Sequence, residues 1–289
     1  MERPILEIKN LQTYFYVDGK VLRAVDGLSY SVGRGECVAV VGESASGKSV
    51  SALSVLQLVA DPPGRIVGGE ILLDGVDLLK LSEREMRTIR GNRIAMVFQE
   101  PGTALNPVLT IGRQLTEGLE LHKGLSHKEA LKEAIDLLGL VGIPNPEQRI
   151  KDYPYQFSGG MQQRIMIAMA MSCSPDVLIA DEPTTALDVT VQAQLLEVLN
   201  GLRRQYGTAL VIITHNLGVV ARYAEKVQVV YAGRLVEGGT AEDIFQRTCH
   251  PYTKGLIRAV PRLDMPQDQE LVGIEGSPPD LRKLSPHLC

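Results

Sequence analysis

The chain has 289 residues, of which 44% are hydrophobic and 22% are charged, as in a globular protein with one large domain and an appendage, or two modest domains. Its net charge of −4 argues against a general attraction to nucleic acid or anionic lipid. No hydrophobic run approaches the roughly 20 residues needed to span a bilayer, and the N-terminal segment lacks the hydrophobic core of a signal peptide. We therefore expect a protein of the cytoplasm that reaches a membrane only through a partner.

The first predicted elements are short strands joined by hairpins. Hydrophobic and polar residues alternate from Leu6 to Val41, with turn residues at Asp18-Gly19 and at Gly33-Arg34-Gly35. The last of these strands, Glu36–Val41, leads into a glycine-rich loop and a predicted helix over about Lys48–Leu58. This part of the chain predicts an antiparallel β subdomain followed by a strand–loop–helix unit.

A helical insert is predicted from about Pro101 to Gln156. Two strands precede it, at Gly68–Leu73 and Ile94–Gln99. Within the insert, breaks containing proline or glycine separate segments in which hydrophobic residues recur at helical spacing. The recurring residues are Ile111, Leu115 and Leu119, followed by Leu131, Ile135 and Leu138.

Strands and helices alternate again after the insert. We expect a helix from Ser158, a buried strand at Val177–Ala180, a helix at about Val191–Tyr206 and a strand at Leu210–Thr214. This alternation indicates an α/β fold with a mostly parallel sheet wrapped by helices. After about Gly239 the chain is richer in proline and less periodic, which predicts an accessory tail.

The glycine-rich loop, Gly42 to Ser49, has the pattern GxxxxGK[ST] of a phosphate-binding loop. Its backbone N–H groups form an anion-binding nest at a helix N-terminus. Lys48 is placed to reach the β- and γ-phosphates, and the Ser49 hydroxyl is placed to bind Mg²⁺. A simple Gly/Ser turn with a surface lysine is disfavoured by the strand before and the helix after. The residues predicted to bind nucleotide here are Gly42, Ser44, Ala45, Ser46, Gly47, Lys48, Ser49 and Val50.

Two acidic residues end the buried strand Val177–Ala180. Asp181 suits Mg²⁺, directly or through water, and Glu182 is placed to orient or deprotonate the attacking water. A solvated acidic pair is the simpler interpretation. We reject it because the strand is entirely hydrophobic and because the pair is followed by Pro183-Thr184-Thr185-Ala186-Leu187-Asp188. Ligands gather at the carboxyl ends of strands in α/β sheets.

Two further polar residues end neighbouring strands. His215 follows Leu210–Thr214, and Gln99 ends Ile94–Gln99 with an amide oxygen suited to Mg²⁺ or to the attacking water. Each residue alone is a weak signal, since a single histidine is more often structural than catalytic. Their positions beside the other motifs predict that both are catalytic.

A second phosphate-binding element is predicted at Ser158-Gly159-Gly160. The serine is a good N-cap and the glycines leave backbone N–H groups bare. Since one nucleotide cannot easily use two phosphate sites of the same fold, we expect this helix end to contact ATP held by the other subunit of a dimer. Four methionines of the following helix are predicted to be core residues rather than ligands: Met161, Met166, Met169 and Met171.

These motifs together resemble the ATP-binding cassette (ABC) ATPases. The chain is similar over essentially its whole length to the ATPases of dipeptide, oligopeptide and nickel importers. The more specific segments are Val97-Phe98-Gln99-Glu100-Pro101, Ala104-Leu105-Asn106-Pro107, Tyr231 to Glu237, His250 to Leu256 and Gly276 to Leu281. The resemblance implies a P-loop NTPase cassette over residues 1–239, with its helical insert at about 101–157, and a truncated C-terminal extension of the oligopeptide/dipeptide-transporter type over 240–289.

The resemblance also implies ATP and Mg²⁺ as cofactors and roles for four residues. Phe15 resembles the aromatic residue that stacks on adenine, with Tyr14 and Tyr16 as neighbours able to substitute for it. Gln99 resembles the loop that senses the membrane subunits. His215 resembles the histidine that contacts the γ-phosphate, and Asp188 resembles the residue that communicates across the dimer.

The implied assembly is a head-to-tail ATP-bound dimer with itself or with a second, homologous ATPase. It includes two integral membrane permease subunits and, indirectly, an extracytoplasmic solute-binding protein, and no nucleic acid. The chain then lies on the cytoplasmic face of the inner membrane and powers solute import, with peptides preferred and nickel as the alternative. A soluble ABC ATPase acting on the ribosome or DNA is disfavoured, because such proteins usually carry two cassettes or a coiled-coil insert. A regulatory subunit that binds ATP without hydrolysis is disfavoured by Glu182 and His215.

Three features depart from the family pattern. Ala45 stands where glycine is usual, and at positive φ it costs roughly 1 kcal/mol. The sequence Phe157-Ser158-Gly159-Gly160-Met161 replaces the usual Leu-Ser-Gly-Gly-Gln. Many relatives carry a C-terminal cysteine cluster, whereas Cys249 and Cys289 alone cannot supply four ligands. We therefore expect no iron–sulfur cluster, and we interpret Cys37 and Cys173 as core residues.

Overall fold

A computed structural model describes residues 3–184, 188–260, 273–274, 276 and 279–281 of the protein. The chain divides into two compact units. The first is formed by Met1–Val32, Cys37–Lys80 and Ile212–Cys289, and the second by Gly33–Glu36 and Leu81–Val211. Among the described residues, no helix combines the length and hydrophobicity needed to cross a membrane.

The strands, in chain order, are β1 Leu6–Val17, β2 Lys20–Val32, β3 Cys37–Val41, β4 Gly64–Leu73, β5 Val76–Asp77, β6 Ile94–Val97, β7 Val177–Asp181, β8 Ala209–Thr214, β9 Lys226–Tyr231 and β10 Arg234–Thr240. The helices are α1 Lys48–Val55, α2 Glu83–Ile89, α3 Pro101–Ala104, α4 Ile111–Lys123, α5 His127–Leu140, α6 Pro146–Arg149, α7 Gly159–Met171, α8 Val189–Tyr206, α9 Leu217–Tyr223, α10 Ala241–Gln246 and α11 Pro251–Arg258.

The first unit contains a four-stranded antiparallel sheet with the order β2-β1-β4-β5. The turn at Asp18-Gly19 joins β1 to β2, whose pairing runs from Val17 opposite Lys20 to Leu6 opposite Val32. Alternate residues of β1, among them Leu6 and Ile8, are buried, as expected for a sheet with one face against a core. The predicted antiparallel subdomain is therefore confirmed.

The same unit contains a second core around strand β9. This strand pairs in parallel with β3 and antiparallel with β10. Helices α9, α10 and α11 supply residues to the core beside it. The core consists of Ala39, Val41, Leu217, Val220, Val227, Val229, Ile244 and Tyr252.

The described part of the chain from Thr240 to Val260 is more regular than its composition predicts. It forms α10 and α11, and both helices carry start signals. Thr240 and Asp243 form a capping box at α10, while His250 caps α11 ahead of Pro251. Helices of six and eight residues are too short for a hydrophobic period to repeat over several turns, so caps are the better indicators of them.

The second unit holds the predicted helical insert. Helix α4 buries Ile111, Leu115 and Leu119, as its spacing predicts. Helix α5 instead buries a face made of Ala130, Ala134, Leu137 and Leu138, and Leu131 and Ile135 are half-buried. Both sets fit the i, i+4, i+7 rule, and a shift of one residue turns a helix face by about 100°. The alanine face allows closer packing of neighbouring helices.

Several boundaries differ from the predictions. Strand β4 begins at Gly64 rather than Gly68, because its first residue pairs with Phe15 on β1. Helix α1 ends at Val55 rather than Leu58, since Gln57 has a positive φ of 51°. Helix α2 has no counterpart among the predicted elements, although Ser82 and Glu85 form a capping box that marks its start.

Strand β6 of the second unit is also shorter than predicted, ending at Val97 rather than Gln99. It pairs in parallel with β7, from Ile94 opposite Val177 to Val97 opposite Ala180. The residues that follow the two strands therefore leave the same edge of the sheet, as parallel pairing requires.

Candidate nucleotide site

The phosphate-binding loop of the first unit wraps around the ammonium group of Lys48. This side chain is 5% exposed. Its Nζ donates hydrogen bonds to the carbonyl oxygens of Gly42 (2.9 Å) and Glu43 (2.7 Å) and to Oγ of Ser46 (3.3 Å). The lysine charge is thus held inside the curve of the loop, where a phosphate group would complete its coordination.

Glycine is required at both ends of this loop. Gly42 and Gly47 have positive φ angles of 154° and 99°. A Cβ on Gly42 would overlap the carbonyl oxygen of Val230, and one on Gly47 would overlap that of Ala24. The loop therefore lies directly against neighbouring backbone, and α1 begins immediately after Gly47.

Ala45 lies in the left-handed region, with φ of 62°. A positive φ is the condition under which an alanine strains the loop, so Ala45 costs the folded state roughly 1 kcal/mol or slightly more. Both Ala45 and Ser44 are exposed at the tip of the loop.

A cavity of about 450 Å³ lies beside the loop. It is lined by Leu22, Glu43, Ser44, Ala45, Ser46, Tyr231, Ala232, Pro279, Asp280 and Leu281. Phe15 on β1 pairs directly with Leu22 on β2, and residues directly opposite in a sheet share a face. Phe15 therefore lies on the sheet face that carries the cavity wall at Leu22.

Tyr14 is engaged elsewhere. Its hydroxyl donates to Oδ1 of Asp26 at 2.7 Å, and the guanidinium of Arg23 lies 5.6 Å from the centre of its ring. Tyr16 shares the face of Tyr14, because side chains alternate along a strand. Of these three aromatic residues, Phe15 is therefore the one on the cavity face. This arrangement favours Phe15 over Tyr14 and Tyr16 as the residue that stacks on adenine.

The acidic residues of the second unit end strand β7. Asp181 is the last strand residue and is 5% exposed. Glu182 follows with an unusual positive φ of 46°, a strained conformation of the kind that clusters at functional sites. Nε2 of Gln99 donates to Oε2 of Glu182 at 3.1 Å. The structure thus brings together two of the three predicted catalytic residues.

Helix α7, in the same unit, begins with an exposed N-terminus. Oγ of Ser158 accepts from the backbone N–H of Met161 at 3.4 Å, which confirms Ser158 as the N-cap. Ser158 and Gly159 are exposed, and a Cβ on Gly159 would meet no heavy atom of the described structure within 4 Å. Behind this turn, the guanidinium of Arg149 lies 4.2 Å from the ring centre of the buried Phe157. Further along α7, Met166 and Met171 are buried as predicted, whereas Met161 and Met169 are half-buried.

The remaining predicted site residues lie at the ends of elements. His215 follows β8 and is exposed. Asp188 caps α8, where its Oδ1 accepts from the backbone N–H groups of Thr190 (3.1 Å) and Val191 (3.0 Å). Ser49 and Val50 are half-buried in the first turn of α1, and Gly160 is half-buried in that of α7.

Comparisons with known proteins identify the family. The model of the ABC transporter family matches residues 25–185. The chain is 52% identical over 277 residues to the dipeptide transport ATP-binding protein DppD of Bacillus subtilis, covering 96% of this chain and 82% of that protein. The chain belongs to the ABC transporter family, as an ATP-hydrolysing subunit. The predicted family, fold class and enzymatic activity are confirmed.

Further relatives of this ABC ATPase extend the match. The oligopeptide transport ATP-binding protein OppD of Salmonella typhimurium is 49% identical over 280 residues, covering 97% of this chain and 83% of that protein. A second family model, the C-terminal region of oligopeptide/dipeptide transporters, matches residues 236–289. Among solved structures, the dimeric post-hydrolysis state of the ATP-binding cassette MJ0796, bound to ADP and Pi, has a TM-score of 0.73. It is 26% identical, covering 82% of this chain and 98% of that one.

Two cysteines of the ABC ATPase, Cys37 and Cys173, are confirmed as core residues. Cys37 and Cys173 are buried, Cys249 is exposed, and none of these three described cysteines is part of a disulfide. Burial raises the pKa of the Cys173 thiol, as expected for an inert core residue. Cys289 lies outside the described residues. Within the described ranges, no group of three or more His, Cys, Asp or Glu side chains is arranged to hold a metal ion.

Sequence reasoning missed the C-terminal contribution to the cavity. Pro279, Asp280 and Leu281 line it together with the phosphate loop, and the hydroxyl of Tyr252 lies 3.0 Å from the backbone nitrogen of Glu43. No local signal marks these contacts, because the residues are more than 200 positions apart. In the sequence, the segments Tyr231 to Glu237 and His250 to Leu256 stand out only as family features.

Proposed function

We propose that this chain is the ATPase subunit that powers the import of dipeptides or oligopeptides. The observation that carries the proposal is the match of residues 236–289 to the C-terminal region of oligopeptide/dipeptide transporters, beside a complete set of ATPase motifs. The similar proteins DppD and OppD are named for dipeptide and oligopeptide transport. A nickel importer is the alternative within the same family.

In the proposed binding mode, the loop from Gly42 to Ser49 holds the phosphates and Phe15 stacks on adenine. Lys48 exchanges its carbonyl partners in the loop for phosphate oxygens, which are stronger acceptors. Oxygen donors of the kind that Mg²⁺ prefers are present in Ser49, Asp181 and Gln99. Bound Mg²⁺ would neutralise charge on the phosphates.

The proposed hydrolytic step uses Glu182 to take the proton of the attacking water. The hydrogen bond from Nε2 of Gln99 fixes the Glu182 carboxylate, and it does not use the amide oxygen of Gln99, the atom proposed to bind Mg²⁺. His215 donates to the γ-phosphate. These roles are supported by the chemistry of the side chains and by the family, and each residue can be substituted on its own to test its role.

The proposed assembly is a dimer in which α7 of one subunit contacts ATP bound to the other. The exposed Ser158 and Gly159 support this arrangement, and the similar cassette MJ0796 was solved as a dimer. The second ATPase is a copy of this chain or a homologue, with Asp188 near the shared interface. Two permease subunits hold the dimer on the cytoplasmic face of the inner membrane, and a solute-binding protein acts outside it.

The experiment that tests the proposal captures the assembly in its ATP-bound state. Tagged Glu182→Gln protein with Mg-ATP is used as bait in native membranes, and the bound proteins are identified by mass spectrometry. Recovery of polytopic permease subunits is expected. The complex is then purified again with tagged wild-type protein, and its ATPase activity should rise with peptide-loaded solute-binding protein and not with the nickel-loaded form. Recovery of ribosomes or DNA without permease subunits would overturn the transport proposal.

A further inference from the structure

A tyrosine of the C-terminal extension reaches the phosphate loop. Tyr252, in the first turn of α11, accepts a hydrogen bond at 3.0 Å from the backbone N–H of Glu43. The two residues are 209 positions apart, and the Tyr252 side chain is 8% exposed. Burial raises the pKa of Tyr252 to about 12. The hydroxyl therefore stays protonated at neutral pH and accepts from Glu43 through an oxygen lone pair.

The same residue of the loop also serves Lys48. The carbonyl oxygen of Glu43 accepts from Nζ of Lys48 at 2.7 Å and from the backbone N–H of Ser46 at 3.3 Å. Glu43 is therefore held on both sides, by Tyr252 through its N–H and by Lys48 through its C=O. A change at the Tyr252 hydroxyl is transmitted to the lysine through a single residue.

The start of α11 is itself anchored to the core by Glu237 on β10. One carboxylate oxygen accepts from the backbone N–H of Cys249 (2.7 Å), and the other accepts from the hydroxyl of Thr248 (2.9 Å) and the N–H of His250 (3.3 Å). Although partial burial acts to raise the pKa of Glu237, these hydrogen bonds hold it below its usual value. A carboxylate that accepts several hydrogen bonds is a strong anchor.

The ring of Tyr252 is fixed by packing. Its centroid lies 4.4 Å from that of Tyr231, and it belongs to the core that includes Val41, the last residue before the phosphate loop. The ring is thus held independently of the hydroxyl, so the hydroxyl can be removed with little loss of packing.

We propose that Tyr252 is a positioning residue for ATP binding, through which the C-terminal extension, anchored by Glu237, sets the conformation of the phosphate loop. The inference rests on the proposed binding of ATP by this loop. Through this contact the C-terminal extension belongs to the nucleotide site and is not a separate accessory segment. ATP affinity then depends on the integrity of the segment from Glu237 to Tyr252.

The test compares Tyr252→Phe with Tyr206→Phe, which removes a hydroxyl from a partly exposed tyrosine at the end of α8. Mg-ATP affinity, KM, kcat and thermal stability are measured on the full chain. Tyr252→Phe should weaken ATP affinity and raise KM about 3- to 10-fold, the effect expected from loss of one hydrogen bond. Because no reacting group is removed, kcat should stay near that of the wild type, and loss of one hydrogen bond should lower the melting temperature by no more than about 2–4 °C.

Hydrogen exchange measured without nucleotide separates an effect on the conformation of the phosphate loop from an effect on catalysis. In Tyr252→Phe, hydrogen exchange of the segment 42–47 should rise by about one additional exchanging amide, that of Glu43. Tyr206→Phe should leave this segment unchanged. Unchanged ATP affinity in Tyr252→Phe, or the same loss in Tyr206→Phe, would overturn the inference.

A double-mutant cycle tests the role of Glu237. Glu237→Gln should weaken ATP binding in the same direction, and combining it with Tyr252→Phe should add little, because both act through one contact. If the losses of ATP affinity in the two single variants add fully in the double variant, Glu237 does not act through Tyr252. The wild type decides the underlying proposal separately: if it neither binds nor hydrolyses Mg-ATP, the ATPase assignment fails, whatever the variants do.

Discussion

Single residues of the phosphate loop differ sharply in how much change they tolerate. Gly47→Ala would drive a methyl group into the carbonyl oxygen of Ala24 at a backbone φ of 99°. We expect it to lower the free energy of unfolding by about 1–3 kcal/mol and to weaken ATP binding more than about tenfold, or 1.4 kcal/mol. Urea denaturation and nucleotide titration measure the two effects.

Ala45→Gly is the matched change in the opposite direction. It removes the left-handed strain on Ala45, worth roughly 1 kcal/mol, but adds backbone entropy to the unfolded chain, worth about as much. We therefore expect unchanged stability within about 1 kcal/mol and unimpaired ATP affinity. A large loss of ATP affinity would show that the alanine side chain itself contacts the ligand.

Glu182 and Gln99 allow catalysis to be separated from binding. Glu182→Gln keeps the size of the side chain but removes the proton acceptor, so turnover should fall by about 10²- to 10⁴-fold while ATP affinity is kept. Gln99→Ala frees the carboxylate from its 3.1 Å hydrogen bond and should lower kcat less. Steady-state kinetics with nucleotide titration measure both, and normal turnover in Glu182→Gln would exclude it as the base.

At the scale of elements, Asp188 has a structural role that competes with its predicted role at the dimer interface. It caps α8 through two backbone N–H groups. Asp188→Ala should lower stability by about 1 kcal/mol, whereas Asp188→Asn, also a good cap, should not. If Asn nevertheless reduces ATP-driven turnover, the charge matters beyond the cap. If Asn matches the wild type in both, Asp188 acts as a cap alone.

The cluster around Asp26 joins β1 and β2 to β10 and predicts a pH dependence. Its carboxylate accepts from Tyr14 (2.7 Å) and from Nη2 of Arg234 (2.8 Å). Although partial burial acts to raise the pKa of Asp26, these bonds hold it below its usual value. The stabilisation is therefore complete above the unfolded pKa of about 3.9 and is lost as the pH falls through the lower, folded pKa.

Asp26→Asn should accordingly cost about 1.5–3 kcal/mol at pH 7, the range for a hydrogen bond to a charged group. The difference from the wild type should shrink below about pH 4 as Asp26 itself becomes protonated. Urea denaturation at pH 7, 5 and 3 measures it. Asp18→Asn, in the exposed β1–β2 turn, is the control and should change the free energy of unfolding at pH 7 by no more than about 0.5 kcal/mol.

Elements defined by local chemistry are predictable from the sequence, and those defined by distant contacts are not. The loop at Gly42–Ser49, the acidic strand end at Asp181 and the cap at Ser158 each need only a few neighbouring residues. The buried face of α5 is shifted by one residue from the predicted face. The prediction follows Leu131 and Ile135, because leucine and isoleucine are more hydrophobic than the alanines that the helix buries. The contact of Tyr252 with Glu43 depends on long-range packing that leaves no periodic trace.

At the scale of the whole molecule, the decisive prediction concerns the ATP-driven dimer. Glu182→Gln protein with Mg-ATP should change from monomer to dimer in size-exclusion chromatography with light scattering, since ATP is bound and not consumed. The exposed N-terminus of α7 is the surface expected to close on the partner's nucleotide, because bare N–H groups at a helix N-terminus attract phosphate.

Gly159→Asp, added to Glu182→Gln, tests that surface without harming the fold. A side chain at Gly159 meets no described heavy atom within 4 Å of its Cβ, and a negative charge is favourable in the first turn of a helix. Stability and ATP binding should therefore be kept, while the added carboxylate repels the partner's phosphates and prevents the dimer. If the Gly159→Asp variant forms the dimer equally well, α7 does not contact the second nucleotide, and the interface lies elsewhere on the protein.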